Sequence, residues 1–321
     1  MSLTTVSLAI IGLSVICASS GSDDFSYKGI HGPMNWGHDY SGCVGKHQSP
    51  IDIEEHDVIN VTLPFLQISG LDKPRNTYLM NNGHTVMLRV NDSSTAIISG
   101  GPLGPDPYVF EQLHFHWGAN DSEGSEDLIN NHSFAMELHA VFYKKSYGSL
   151  AKAVDYFDGL TVLAYFFEVS EEDNPIYNVI VDVLPTIEDV GSTTKLVDPL
   201  ILQHLLVPEG HSLESYFTYN GSLTTPPCSE VVTWIDFKDA LTLSHRQLEE
   251  FRNVQSNDGE KLTHNFRPIQ PLEDRQIYYN VPETKHNNYG EQTKPTAFLT
   301  FGFVVITFTI SPDMWIGILG I

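Results

Sequence analysis

The chain has 321 residues, with 17 Lys plus Arg against 40 Asp plus Glu and a formal net charge of −23. So acidic a surface repels phosphate backbones and anionic headgroups, which excludes nucleic acid and an anionic membrane surface as electrostatic partners. With 41% hydrophobic and 18% charged residues, the composition is globular and excludes a disordered chain.

In chain order, residues 1–20 read as a secretory signal peptide. An apolar run from Leu8 to Cys17 precedes the small residues Ala18, Ser19 and Ser20, although no Lys or Arg stands before the run. The alternative is a signal anchor left in place, but the run is too short to span a bilayer. Residues 21–288 follow as one domain, near the upper size for a single core. The whole chain carries 24 Gly and 18 Pro, which favours β structure broken by turns. Strand-like runs recur at Thr85–Val90, Thr95–Ile98, Leu113–Trp117, Phe134–Tyr143, Thr161–Val169 and Val231–Phe237. Helical stretches are few: Leu150–Tyr156, Pro175–Leu184 and Ser244–Arg252, the last with Ser244 as its N-cap. Strands dominate, so the expected fold is mainly β, a large, mostly antiparallel sheet with short peripheral helices.

Residues 289–321 differ from the rest. A polar spacer, Glu291 to Thr296, leads into the apolar run Ala297 to Ile310, and no Lys or Arg follows. This is the pattern of a glycolipid (GPI) anchor signal, with Asn288-Tyr289-Gly290 as its small-residue cleavage site. A retained transmembrane helix and a freely secreted form are the alternatives. Of three cysteines, Cys17 leaves with the signal peptide. Cys43 and Cys228 remain, which in an oxidising compartment suggests one disulfide. Sequons at Asn60, Asn91, Asn120, Asn131 and Asn220 are compatible with secretion, Asn220 being the one least expected to be used because of its tight turn.

The chemistry concentrates between Glu111 and Tyr143. Gln112-Leu113-His114-Phe115-His116-Trp117 alternates, so Gln112, His114 and His116 share one face of a strand while Leu, Phe and Trp take the other. Glu137-Leu138-His139-Ala140-Val141 alternates again. If the two strands are antiparallel neighbours, three imidazoles converge. Three His with a fourth position open is a catalytic zinc arrangement. Gln112 and Glu137 each stand two residues before a ligand candidate on the same face, where they can fix an imidazole tautomer. The competing reading is two half-buried strands whose histidines bond only to the scaffold. A cupin-like site fails on spacing, because the first Glu after His116 is Glu123, and no His-Glu-x-x-His occurs.

These segments belong to a wider set: Gln48-Ser49-Pro50-Ile51-Asp52-Ile53, Asn81-Asn82-Gly83-His84, Gln112 to Gly118, Glu126, Met136 to Val141, Gly221-Ser222-Leu223-Thr224-Thr225-Pro226-Pro227 and Asn265-Phe266-Arg267-Pro268. On them the chain resembles the α-class carbonic anhydrases over essentially all of Tyr27 to Val281. The resemblance implies a central ten-stranded twisted sheet with zinc, Zn2+, at the floor of a cone. It implies His114, His116 and His139 as ligands, with Gln112, Glu137 and Asn265 behind them. It implies reversible hydration of carbon dioxide to bicarbonate and a proton through a zinc-bound hydroxide. Thr224 would orient that hydroxide and donate its own proton to Glu126. Val141, Val162, Leu223 and Trp234, with Thr225, would line the substrate pocket. His84 would shuttle protons, with Asn82 ordering waters. Cys43 and Cys228 match the disulfide of extracellular and membrane-bound members, so the expected location is the cell surface or the extracellular space. Two departures stand out. His38 replaces a usual Tyr and would alter the water network or add a second titrating group near the mouth, and Met87 stands where Asn often lines the wall. No protein partner is indicated. The alternative function is a zinc-free carbonic-anhydrase-like binding or adhesion module, a class that has lost ligand histidines; all three are present here.

Overall fold

The computed structural model describes residues 25–91, 95–207 and 212–281, all within one compact unit. The segments expected to be a signal peptide, 1–20, and an anchor signal, 289–321, with its expected cleavage site at 288–290, lie outside the described residues. Twelve strands form the main sheet among those residues. They are β1 (Ile59–Val61), β2 (Gln67–Ser69), β3 (Thr77–Asn81), β4 (Val86–Val90), β5 (Ile97–Ser99), β6 (Tyr108–Trp117), β7 (Met136–Lys144), β8 (Leu160–Ser170), β9 (Thr193–Lys195), β10 (Tyr216–Gly221), β11 (Val232–Ser244) and β12 (Tyr278–Asn280). Ten of them run in the order β9-β3-β4-β6-β7-β8-β11-β10-β12-β1, and β5 joins β2 to the edge of β6. Pairings are antiparallel except β8 with β11 and β12 with β1. Parallel strands need a long crossover, and residues 171–231 supply one between β8 and β11. The ten-strand path agrees with the expected architecture.

Alternation decides what each face of the sheet does. On β6, Leu113, Phe115 and Trp117 point into the larger core cluster, joined by Leu138 and Ala140 of β7, Leu163 and Tyr165 of β8 and Ile235 and Phe237 of β11. The opposite face carries a smaller cluster with Val141, Val162, Ala164, Phe166, Phe217 and Trp234. The histidines share that second face. One face is therefore a continuous hydrophobic core, and the other is divided between apolar packing and chemistry.

The helices are short: α1 (Trp36–Asp39), α2 (Leu150–Ala153), α3 (Asn178–Val181), α4 (Leu202–Leu206) and α5 (His245–Arg252). Helix α5 begins where expected. Ser244 Oγ accepts from the Gln247 N–H at 3.1 Å, and Gln247 Oε1 accepts from the Ser244 N–H at 3.1 Å, a reciprocal capping box. The helix expected over Pro175–Leu184 shrinks to α3 and a 3₁₀ turn at Leu184–Thr186. Pro185 lacks an N–H and disfavours the helical conformation at the residue before it.

Candidate metal centre

Strands β6 and β7 pair with His139 opposite His114, Glu137 opposite His116 and Val141 opposite Gln112. Opposed residues share a face, so this register carries all three imidazoles to one point, as the alternation predicted. One ligand nitrogen from each of the three lies within 4.8 Å of the other two, close enough to share a metal ion.

Each ring is held from behind. His114 Nδ1 lies 2.9 Å from Gln112 Oε1, His116 Nδ1 lies 2.7 Å from the Asn265 carbonyl oxygen, and His139 Nε2 lies 2.6 Å from Glu137 Oε1. The Gln112 and Asn265 oxygens can only accept, and the Glu137 carboxylate accepts when ionised; each ring then carries its proton there and turns its other nitrogen, bare, toward the centre. Among the described residues, the fully buried His116 Nε2 has no hydrogen-bond partner, a cost the fold sustains only if something else satisfies it. Burial lowers the pKa of His114 and His116 far below the usual imidazole value, with the neighbouring rings adding to it, and lowers that of His139 to about 3. Neutral imidazoles are the metal-binding form. Three neutral nitrogens with a position left open fit zinc.

Two expected supports act differently from their sequence-level description. Asn265 serves His116 through its backbone carbonyl. Its side chain braces the surroundings, with Oδ1 accepting from the Trp117 N–H at 2.7 Å and Nδ2 donating to the carbonyls of Phe115 and His84. Glu137 also reaches beyond its histidine: Oε2 accepts the backbone N–H groups of Glu126 and Asp127 at 2.8 and 3.0 Å. Burial pushes the Glu137 carboxyl up to about 8, against the pull of those two donors.

Glu126 is buried beside the centre. Its Oε1 accepts the Arg267 N–H at 2.8 Å, and its Oε2 stands 3.4 Å from His116 Nε2. Burial raises its pKa well above the usual carboxyl value. The Thr224 hydroxyl and the Arg267 N–H oppose that rise, and the charges of Glu137 and Asp127 add to it. Thr224 and Glu126, 98 positions apart in sequence, are thereby brought together.

The centre opens into a cavity of about 230 Å³, lined on one side by Val141, Val162, Leu223 and Trp234 and elsewhere by Asn82, His84, Met87, Thr224 and Thr225. The apolar side follows from register. Val141 lies opposite Val162, and Val162 opposite Trp234, one rung along the sheet from His139 and on the same face. Leu150, Val154 and Leu160 extend this wall, and Phe25 and Tyr27 close another side; the motifs pointed to none of the five. Met87 lies opposite His114 on the neighbouring strand, as its place on the cavity wall requires. His38 departs from expectation. It is exposed and lines a separate depression with Met34 and Val44, so it adds no titrating group to this cavity. Its one-turn helix α1 buries Trp36 toward the core and turns His38 outward.

Cys43 and Cys228 form a disulfide. Arg267 braces the same region: its guanidinium donates to Gln48 Oε1, the Ser49 carbonyl and the Cys43 carbonyl. Sequence reasoning passed over two buried acids behind the site. Asp127 accepts from the Ile51 N–H at 2.6 Å and from the Tyr219 hydroxyl at 3.1 Å. Asp236 lies between Ala164 and Phe217 on neighbouring strands, and neither of its oxygens has a hydrogen-bond partner among the described residues. An Asp in a strand written as Trp-Ile-Asp-Phe continues the alternation of the strand, and that was the available signal.

The family model for eukaryotic-type carbonic anhydrase matches residues 31–281. Mouse carbonic anhydrase 6 is 35% identical over 87% of this chain and 86% of its own length, and mouse carbonic anhydrase 7 is 38% identical over 81% and 96%. Human carbonic anhydrase 7 is 36% identical over 80% of this chain and 97% of its own. A matched family model over most of the chain, and three neutral imidazoles converging in a half-apolar cavity, give one conclusion: the chain belongs to the eukaryotic-type carbonic anhydrases, zinc-dependent enzymes that act on carbon dioxide and bicarbonate.

Proposed function

We propose that this protein hydrates carbon dioxide reversibly to bicarbonate and a proton at the His114–His116–His139 centre. The observation that carries the reading is the meeting, in one cavity, of three bare imidazole nitrogens with an apolar wall of Val141, Val162, Leu223 and Trp234. Zinc, when bound there, lowers the pKa of a coordinated water to about 7, the value established for carbonic anhydrases, and so supplies a nucleophile at neutral pH. Carbon dioxide is apolar and has no charge to pair, so the wall holds it by contact and by excluding water. Thr224 orients the nucleophile. On this reading its hydroxyl donates to Glu126 Oε2, an oxygen otherwise without a hydrogen-bond partner among the described residues, and therefore offers only its lone pairs to the reacting water. Glu126 must be ionised to accept that proton; burial opposes this, and the Arg267 N–H favours it. His84, on the same cavity wall, passes the released proton to solvent.

On the same reading, residues 1–20 route the chain into the secretory pathway, residues 21–288 are the catalytic domain and residues 289–321 direct a glycolipid anchor. The Cys43–Cys228 disulfide supports an oxidising, extracellular location. All five sequon asparagines are exposed, Asn220 among them, which leaves each open to glycosylation. Stopped-flow CO₂ hydration, with zinc measured on the same purified sample, tests the activity. Zinc-loaded protein without hydration activity overturns the reading.

A further inference from the structure

His84 is held on several sides. Asn82 Oδ1 accepts the N–H groups of His84 and Thr85 at 2.9 and 2.8 Å, which fixes the backbone of the turn. Gly83 has φ +85°, and a Cβ there would fall 1.8 Å from Asn257 Oδ1, so the loop bearing Asn257 presses against the turn. The Asn257 N–H donates to the Gly83 carbonyl at 3.3 Å. The imidazole stacks on Phe25, with centroids 3.9 Å apart and planes 9° apart. Its Nε2 lies 3.1 Å from Asn257 Nδ2. An amide nitrogen only donates, so Nε2 accepts and the neutral ring carries its proton on Nδ1.

The two elements that grip the ring are tied to each other. Lys28, three residues after Phe25, places Nζ 2.9 Å from Glu260 and 3.4 Å from Asp258, both on the Asn257 loop. Among the described residues, Lys28, Asp258, Glu260 and Lys261 are the charged side chains of these two segments, 25–28 and 257–261. Tyr27 lines the same cavity, and burial keeps its phenol neutral. Asn257 Nδ2 meets one titrating nitrogen of the ring directly.

We infer that Asn257 is a positioning residue for the proton relay: its amide N–H holds His84 as the Nδ1–H tautomer against Phe25 and has to release Nε2 before the ring takes up a proton. The inference rests on His84 acting as the shuttle. The proton arriving on the ring bonds to the Nε2 lone pair, which the amide N–H now occupies, so one bond breaks as the other forms. The ring then returns a proton from either nitrogen to buffer. Asn257 is exposed, and Gly83 has no side chain to hinder its amide, so the release needs no repacking.

The test uses the zinc-loaded protein and the variants Asn257→Asp, Asn257→Leu and His84→Ala. Nitrogen-15 shifts of His84 report its tautomer, a titration reports its pKa, and kinetics in dilute buffer separate kcat from kcat/KM. The wild type is expected to show the Nδ1–H tautomer. Asn257→Asp replaces the donor with a charged acceptor and is expected to raise the His84 pKa by about one unit. It should lower kcat several-fold in dilute buffer and leave kcat/KM unchanged. Asn257→Leu is expected to lose the tautomer preference with a smaller shift. A wild-type Nε2–H tautomer, or identical titrations in wild type, Asn257→Asp and Asn257→Leu, overturns the positioning role even where His84→Ala lowers kcat. If His84→Ala leaves kcat unchanged, the shuttle reading falls instead.

Discussion

His139 stands directly opposite His114 across β6 and β7, and each ring is locked by an acceptor two residues earlier on its own strand: Glu137 for His139, Gln112 for His114. The same alternation that points a histidine at the centre therefore points its orienting partner at it. Replacing any of His114, His116 or His139 by Ala should abolish most zinc binding and most hydration. Replacing Gln112 by Ala or Glu137 by Gln should leave the ligands and weaken zinc affinity roughly 10- to 100-fold. Competition with a chelator of known affinity measures both. Full affinity without Glu137 would mean that packing alone orients His139.

Thr224 is not one of the three ligand residues, so zinc should survive its loss. Thr224→Ala should retain one zinc per chain and lose roughly 100-fold or more in kcat/KM. Thr224→Ser keeps the hydroxyl and should recover most of the rate. Equal rates in the Ala and Ser variants would remove the hydroxyl from the mechanism.

Asp236 gives a prediction about pH and stability. Burial is the main cause of its raised pKa, with the charges of Asp127 and Glu137 adding to it. An acid whose folded pKa is raised favours the fold fully below its unfolded pKa, near 4, and that contribution is lost as pH rises toward the folded value. Asp236→Val removes the group. The stability of the variant relative to wild type should therefore grow with pH above about 4, by at most about 1.4 kcal/mol per unit. Thermal melts of the zinc-loaded forms from pH 5 to pH 8 read the slope. A difference that stays constant with pH would show that Asp236 ionises freely in the fold.

The Cys43–Cys228 bridge closes a separation of 185 residues. In the chain-entropy model such a loop is worth about 5 kcal/mol at most. Reduction should lower the melting temperature, and peptide mapping should recover the two cysteines cross-linked. Two free thiols in secreted protein would refute the bridge.

The apolar tail has its own test. A phospholipase specific for glycolipid anchors should release the enzyme from cell membranes. Recovery of Ala297–Ile310 peptides from the membrane-bound protein would favour a retained helix instead.

Several strands were hidden in the sequence for a definite reason. On β3, Thr77, Leu79 and Asn81 are buried while Tyr78 and Met80 are only half-buried. Its buried face thus carries two polar side chains, and hydrophobic alternation disappears. Asn81 tolerates burial because its Nδ2 donates to the carbonyls of Glu188 and Gln255, partners more than 100 residues away. No local pattern encodes such a partner.

The sequence by itself determined the ligands, their face and two of their three supports, because period-two alternation is a local property of the strand. It also determined the family, through motifs spread over most of the chain. Only the tertiary structure decided that the third support is the Asn265 carbonyl. A backbone group has no sequence signature, and its position depends on how a distant segment crosses β6. The structure likewise took His38 away from the cavity, set Phe25 and Asn257 around His84 and left Asp236 without a hydrogen-bond partner among the described residues. Each of these depends on contacts between remote segments, where burial and hydrogen-bond geometry are settled by packing and not by neighbours along the chain.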